Sequence, residues 1–123
     1  MKINPETIEV VEYNITVVEG CMYAFNIYFD ENDPISCISD CQAVLTIENE
    51  DKRKYTYTCA ISNNSIKIII PPSSTLHQDL INYEVRLLTR DGGVYPIVYG
   101  KIEIKQSINP DVKYPFETEV NSK

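Results

Sequence analysis

The chain has 123 residues, which is enough for one domain with a sizeable core and does not require two domains. Its formal net charge of −7 opposes binding to nucleic acid, because such binding needs clustered Lys and Arg to displace counterions. The sequence has no apolar stretch of about 20 residues that would span a membrane, and residues 1–6 lack the apolar centre of a signal peptide. We therefore expect a soluble protein made in the cytoplasm, with neither nucleic acid nor membrane as a partner.

The composition favours strands over helices, because Ile, Val, Tyr and Thr dominate the apolar and β-branched residues and Trp is absent. Alternation of apolar and polar residues between turn signals predicts an N-terminal extension at 1–12, a β-domain at 13–105 and a C-terminal arm at 106–123. The first clear strand is predicted at 13–18, and Glu19-Gly20 ends it.

The next predicted strand, at 21–30, has one apolar face that we expect to lie in the core: Cys21, Tyr23, Phe25, Ile27 and Phe29. Asp, Asn and Pro residues at 30–34 then predict a turn. The same alternation predicts further strands at 42–48, 55–59 and 66–70.

One helical turn is predicted at 73–82, where it would connect two strands. A strand at 83–89 follows, with Tyr83 facing inward, and residues 90–93 provide a hairpin turn to a final strand at 94–105. About seven short strands without a long helix predict an all-β fold, a single antiparallel β-sandwich.

The four cysteines, Cys21, Cys37, Cys41 and Cys59, are predicted to be reduced, because stable disulfides are typical of exported proteins and no export signal is visible. Cys37 and Cys41 have a spacing that could begin a zinc site, but the other cysteines are isolated and the only histidine is His77. We therefore expect small, partly buried residues rather than metal ligands.

The sequence shows no catalytic arrangement. A Ser or Cys nucleophile needs a base within hydrogen-bond reach, and His77 lies in a polar loop that predicts a solvated side chain. The four glycines form no phosphate-binding motif. Residues 30–33 concentrate oxygens that suit calcium, but they lack the order of a dedicated loop, so a plain acidic turn is preferred and calcium binding stays open. We expect no enzyme activity, no cofactor, no metal and no small-molecule substrate.

The final predicted strand has two possible interpretations. Counting by two from Val98 places Gly100, Ile102 and Ile104 on the core face. This leaves Tyr95, Ile97 and Tyr99 facing outward. Such a row predicts an interface, because tyrosine provides a large amphipathic area and is enriched in protein contacts. Alternatively, a β-bulge near Gly100 reverses the alternation and places the three side chains in the core.

The arm has its own alternation, in which Val112, Tyr114, Phe116 and Val120 share a face. Pro115 removes a backbone donor and so confines such a segment to the edge of a sheet. We predict that the arm adds a strand to a neighbouring subunit, and the alternative is that it folds back on its own domain. The predicted interface residues are therefore Tyr95, Ile97, Tyr99, Val112, Tyr114, Phe116 and Val120.

Three groups of residues follow one another along the chain: Val17-Val18-Glu19-Gly20 with Tyr23-Ala24-Phe25-Asn26-Ile27; Pro34-Ile35-Ser36-Cys37 with Val44-Leu45-Thr46-Ile47; and Tyr83-Glu84-Val85-Arg86-Leu87 with Asp91-Gly92-Gly93 and Gly100-Lys101-Ile102-Glu103-Ile104. This order resembles the immunoglobulin-like β-sandwich of small tailed-phage virion proteins, including the N-terminal domain of the baseplate upper protein family. The resemblance covers about residues 13–105. It departs at Cys37-Ile38-Ser39, where the family commonly has Leu-Thr-Gly.

The resemblance implies an immunoglobulin-like fold and a place in the virion, as a structural protein that contacts capsid, tail, baseplate or fibre proteins. Together with the arm, it leads us to expect a homo-oligomer whose partners are other virion proteins. The alternative is a bacterial adhesion or carbohydrate-binding module, in which exposed tyrosines stack on sugars.

Overall fold

The computed structural model describes residues 2–3, 10–29, 38–112 and 114–115. These residues are almost entirely β, as the composition predicts. The strands are β1 (Lys2–Ile3), β2 (Val11–Glu12), β3 (Ile15–Val18), β4 (Tyr23–Phe29), β5 (Gln42–Glu48), β6 (Lys54–Ser62), β7 (Ser65–Ile70), β8 (Leu80–Leu88) and β9 (Val94–Lys105). Short 3₁₀ turns occur at Ile38–Asp40 and Pro72–Thr75.

Strand β5 shows how alternation produces the local structure. It lies between β6 and β8, antiparallel to both, and its inward residues Ala43, Leu45 and Ile47 are fully buried. Successive side chains of a strand point to opposite faces, so the apolar set lies on one face and the polar set on the other. The strand predicted at 42–48 is confirmed.

The strands form one curled, mixed sheet in the order β1-β4-β7-β6-β5-β8-β9-β2, with β3 also paired to β9. Consecutive neighbours from β4 to β9 are antiparallel. The pairs β1 with β4, β2 with β9 and β3 with β9 are parallel, so the prediction of a purely antiparallel arrangement is wrong. The reason is that β1 joins β4 at one end of the strand order, while β2 and β3 join β9 at the other end. Each of these N-terminal strands runs in the same direction as the strand beside it.

The long strand β6 connects two parts of the curled sheet. Its first part pairs with β5, whereas Ala60, Ile61 and Ser62 pair with β7. The inner face therefore encloses one apolar core, to which every strand from β3 to β9 contributes buried residues. The largest fully buried side chains are Phe29, Ile27, Ile38, Leu45, Ile47, Ile66, Ile68, Ile70, Ile81, Leu87, Ile97 and Ile102.

The hairpin between β8 and β9 is confirmed at the predicted residues. The Thr89 N–H donates to Gly93 O over 2.9 Å, and the Gly93 N–H donates to Thr89 Oγ1. Gly92 has a φ of +92°, a conformation that glycine adopts without steric cost. The predicted helical turn at 73–82 is a 3₁₀ turn that ends at Thr75, because residues from Leu80 onward join β8.

The cysteines do not share one environment. Cys21 is exposed, because β4 begins only at Tyr23, so its predicted place in the core is wrong. Cys41 is half-buried and Cys59 is buried, whereas Cys37 lies outside the described residues. Burial raises the pKa of the Cys59 thiol to about 11.

We expect alkylating reagents to modify Cys21 much faster than Cys59 in the folded protein. The thiolate is the reactive form, and at pH 8 a thiol of pKa about 11 is almost fully protonated as well as shielded. Timed labelling with iodoacetamide followed by peptide mass spectrometry measures both rates. Labelling in denaturant is the control, and it should modify four thiols; two intact disulfides would contradict the predicted reduced state.

Candidate interaction surface

A β-bulge divides the last strand. Val98 pairs with Val85 and Pro96 pairs with Arg86, so Ile97 is the additional residue between these pairs. Ile97 and Val98 are both fully buried, although they are adjacent in sequence. The bulge therefore reverses the alternation between the first and second parts of β9.

This reversal places the two exposed tyrosines on opposite sides of the sheet. Tyr95 pairs with Leu87, whose side chain is in the core, whereas Tyr99 pairs with Glu84. Directly paired residues share a face, so Tyr95 lies at the end of the inner face and Tyr99 on the outer face. The predicted outward row is wrong, because Ile97 belongs to the core. The predicted alternative is also only partly right, because the bulge lies before Gly100 and Tyr99 stays outside.

Gly100 allows the N-terminal edge to approach β9 closely. A Cβ atom at this position would collide with the carbonyl oxygen of Tyr13 and lie 2.8 Å from its carbonyl carbon. Tyr13 lies between β2 and β3, and its N–H donates to Tyr99 O over 2.9 Å. The Asn14 side-chain oxygen then accepts from the Lys101 N–H at 2.8 Å, which joins the interrupted edge to β9.

An aromatic cluster surrounds this contact. The Tyr83 hydroxyl donates to Tyr13 O over 2.6 Å, and the Phe25 ring lies 5.1 Å from Tyr13 and 6.2 Å from Tyr83. Tyr23 adds a hydroxyl contact of 3.3 Å to Tyr13. Burial raises the pKa of Tyr83, and the hydrogen bond with Tyr13 raises the pKa of Tyr23. Both hydroxyls are thus neutral at physiological pH, and their partners are groups of Tyr13 within the fold.

Glu19 is a buried carboxylate at the turn after β3, with only 4% of its surface exposed. Its two oxygens accept hydrogen bonds from the His77 N–H at 2.8 Å and the Ser107 N–H at 3.4 Å. The neighbouring Gly20 N–H donates to Thr75 Oγ1 at 2.8 Å. The His77 side chain is itself exposed, as the sequence predicts, and its Nδ1 lies 4.0 Å from Glu19.

The start of the predicted arm, residues 106–111, packs against its own domain. We call this segment the arm root. The Gln106 side-chain amide donates to Asp79 Oδ1 at 2.9 Å and to Gln78 O at 3.3 Å. Gly20, with a φ of +80°, lies so close to Pro110 that a Cβ atom there would collide with its carbonyl oxygen. The predicted alternative, in which the arm folds back on its own domain, therefore holds for the arm root.

The arm root and the residues that follow it expose large apolar side chains. Ile108 and Tyr114 are almost completely exposed, at 106% and 94%, and Val112 is 51% exposed. We call these three residues the apolar segment. Residues 106–112 form no strand in the structure, and the predicted interface residues Phe116 and Val120 lie outside the described residues.

Among the described residues, no group of acidic, histidine and cysteine side chains has the arrangement of a metal site. Residues 30–33, considered for calcium, lie outside the described ranges. None of the helical turns in the described part of the chain has the length or apolar character of a membrane-spanning helix. Compared with known proteins, the chain matches no family model and no curated sequence.

The structural roles of two residues near the N-terminal edge were not predicted from sequence. Glu19 and Asn14 hold the turn and the interrupted edge, but charged and amide residues beside a turn usually indicate solvent exposure. For Glu19 a signal in the sequence is Gly20, directly after it, because a glycine beside a turn indicates close approach of another backbone.

Proposed function

We propose that this protein is a non-enzymatic assembly module, a virion structural protein of a tailed phage that oligomerises and contacts other virion proteins. Its fold would be an immunoglobulin-like sandwich in which the two halves of the curled sheet face each other. The apolar segment is the observation that carries the assembly proposal.

Two features support the sandwich. Strand β6 leaves β5 and joins β7, which is how a strand passes from one sheet to the other in sandwiches with corners. Tyr83, near the start of β8, uses its hydroxyl to bind a backbone carbonyl, as a tyrosine does in immunoglobulin-like domains. The acceptor here is Tyr13, between β2 and β3 beside β9, rather than a residue a few positions upstream, so only the principle is shared.

The exposure of the apolar segment supports a role in contacts. Its three residues lie close together in sequence, and large apolar side chains that are grouped on a surface mark interaction sites, whereas single ones are ordinary. Ile108 lies within the arm root, which Gln106 and the Glu19 contact with Ser107 hold on the domain. The backbone around Ile108 therefore loses less conformational entropy when it binds a partner. The resemblance to phage domains supplies the virion assignment.

The test replaces Ile108, Val112 and Tyr114 together with serine in the full chain. We expect the wild-type protein to oligomerise and the triple variant to remain a folded monomer, because the apolar contact area is lost. Sedimentation velocity over a range of concentrations measures the mass, and circular dichroism checks the fold.

The control replaces Tyr28, Val94 and Tyr99 with serine. These residues are 45%, 52% and 45% exposed, and none is adjacent in sequence to a residue that contacts the arm root, so the control variant should assemble like wild type. A wild-type chain that stays monomeric at every concentration, or a test variant that assembles normally, would contradict the proposal.

A further inference from the structure

A cleft of about 410 Å³ opens between β6 and the loop that contains the 3₁₀ turn at Pro72–Thr75. Its walls are Ile47, Asn49, Tyr55, Tyr57, Ser73, Ser74, Leu76 and Gln78. The volume lies in the range of small-molecule sites, which are concave and combine apolar surfaces with a few placed polar groups. The cleft adjoins the arm root at Gln78, whose carbonyl accepts from the Gln106 amide, and none of its walls belongs to the apolar segment.

Two tyrosine rings form one wall. Tyr55 pairs with Ile47 and Tyr57 pairs with Leu45, so both rings are on the inner face of the sheet. In the described residues, β6 has no strand beyond it at this level, because it pairs with β7 only from Ala60. Tyr55 is therefore 43% exposed and Tyr57 half-buried, and both contribute surface to the cleft.

The polar groups of the cleft are already oriented by the fold. The Asn49 side-chain oxygen accepts from the backbone N–H groups of Asp51 and Arg53, each at 3.0 Å. The Gln78 side-chain oxygen accepts from the Glu50 N–H at 3.0 Å. Both amide groups are therefore held by their oxygens, which leaves their NH₂ groups as donors.

Serine hydroxyls complete the polar set. Ser74 Oγ donates to Pro71 O over 2.7 Å, so its oxygen lone pairs remain acceptors. Ser73 is exposed beside it. Such a prearranged site loses little entropy on binding, which favours affinity for a small ligand.

We propose that this cleft binds a neutral saccharide. All eight residues of its walls are uncharged, so the cleft offers no ion pair to an anion or a cation. A pyranose has an apolar face that packs on a tyrosine ring and hydroxyls that exchange hydrogen bonds with amides and serines. A proline-rich peptide also packs on tyrosines, but its backbone lacks the donors to pair with the serine oxygens, whose desolvation would then be uncompensated.

The experiment uses the full chain and methyl glycosides of glucose, galactose, mannose and N-acetylglucosamine, with hexaproline as a competing probe. Saturation-transfer NMR detects binding, and titration followed by protein NMR gives the Kd, which we expect on the order of millimolar. Tyr55→Ala should weaken binding of the preferred glycoside by about tenfold or more. Ser73→Phe, which fills the cleft from an exposed position, should have the same effect.

Tyr99→Ala is the matched control, because Tyr99 is 45% exposed on the outer face, away from the cleft. It should bind the glycoside within about twofold of wild type. The proposal is overturned if no glycoside binds, if only hexaproline binds, or if Tyr55→Ala and Ser73→Phe both bind like wild type while retaining the native circular dichroism spectrum. Sugar binding and oligomerisation are measured separately, so either proposal can fail alone.

Discussion

Replacing Tyr83 with alanine is expected to lower the free energy of unfolding by about 3 to 5 kcal/mol. Tyr83 is only 3% exposed, and its ring packs on Phe25 in the cluster that joins β4, β8 and the N-terminal edge. Alanine leaves a cavity and also removes the hydroxyl that donates to Tyr13 O. Urea denaturation monitored by circular dichroism measures the loss.

The phenylalanine variant separates the hydroxyl from the ring. Tyr83→Phe keeps the packing and removes one bond to a carbonyl, so it should cost about 1 to 3 kcal/mol. Tyr99→Phe is the control, because that tyrosine is exposed on the neighbouring strand, and it should stay within about 0.5 kcal/mol of wild type. Equal stability of wild type and Tyr83→Ala would show that Tyr83 does not occupy the core position described here.

Local alternation made part of this fold predictable. Strands β5, β7 and β8 have one fully apolar face each, and the turn at 90–93 has the glycines that a hairpin needs. Such signals lie within about ten residues of sequence, so no distant contact is needed to recognise them.

The remaining features depend on contacts between distant segments. A bulge near Gly100 was one of two interpretations of the sequence, but its position at Ile97 is visible only once β9 is aligned with β8, because the sequence of one strand does not show how its residues pair with the next strand. The burial of Glu19 requires the backbone N–H groups of His77 and Ser107, which lie 58 and 88 residues away in sequence. The tyrosines of the cleft were correctly assigned to a strand, but their exposure follows from the point at which β7 joins β6, which is Ala60.

Gly100→Ala is expected to lower the free energy of unfolding by about 2 to 4 kcal/mol. The added methyl group would occupy the space of the Tyr13 carbonyl, which is backbone and has little freedom to move. The Tyr13 N–H is bonded to Tyr99 O, and its carbonyl accepts from the Tyr83 hydroxyl. Relieving the collision therefore separates the N-terminal edge from β9 and weakens both bonds. Urea denaturation of the variant and wild type measures the difference.

Gly92→Ala is the matched control on the same hairpin. A Cβ atom at Gly92 meets no atom within 4 Å, so the cost comes only from its φ of +92° and should be about 1 to 2 kcal/mol, less than at Gly100. A double-mutant cycle adds a sharper criterion: Tyr83→Phe should cost less in the Gly100→Ala background, because the carbonyl that its hydroxyl binds has already moved. If Tyr83→Phe costs the same in both backgrounds, or if the two glycine variants are equally stable, Gly100 does not position the Tyr13 carbonyl.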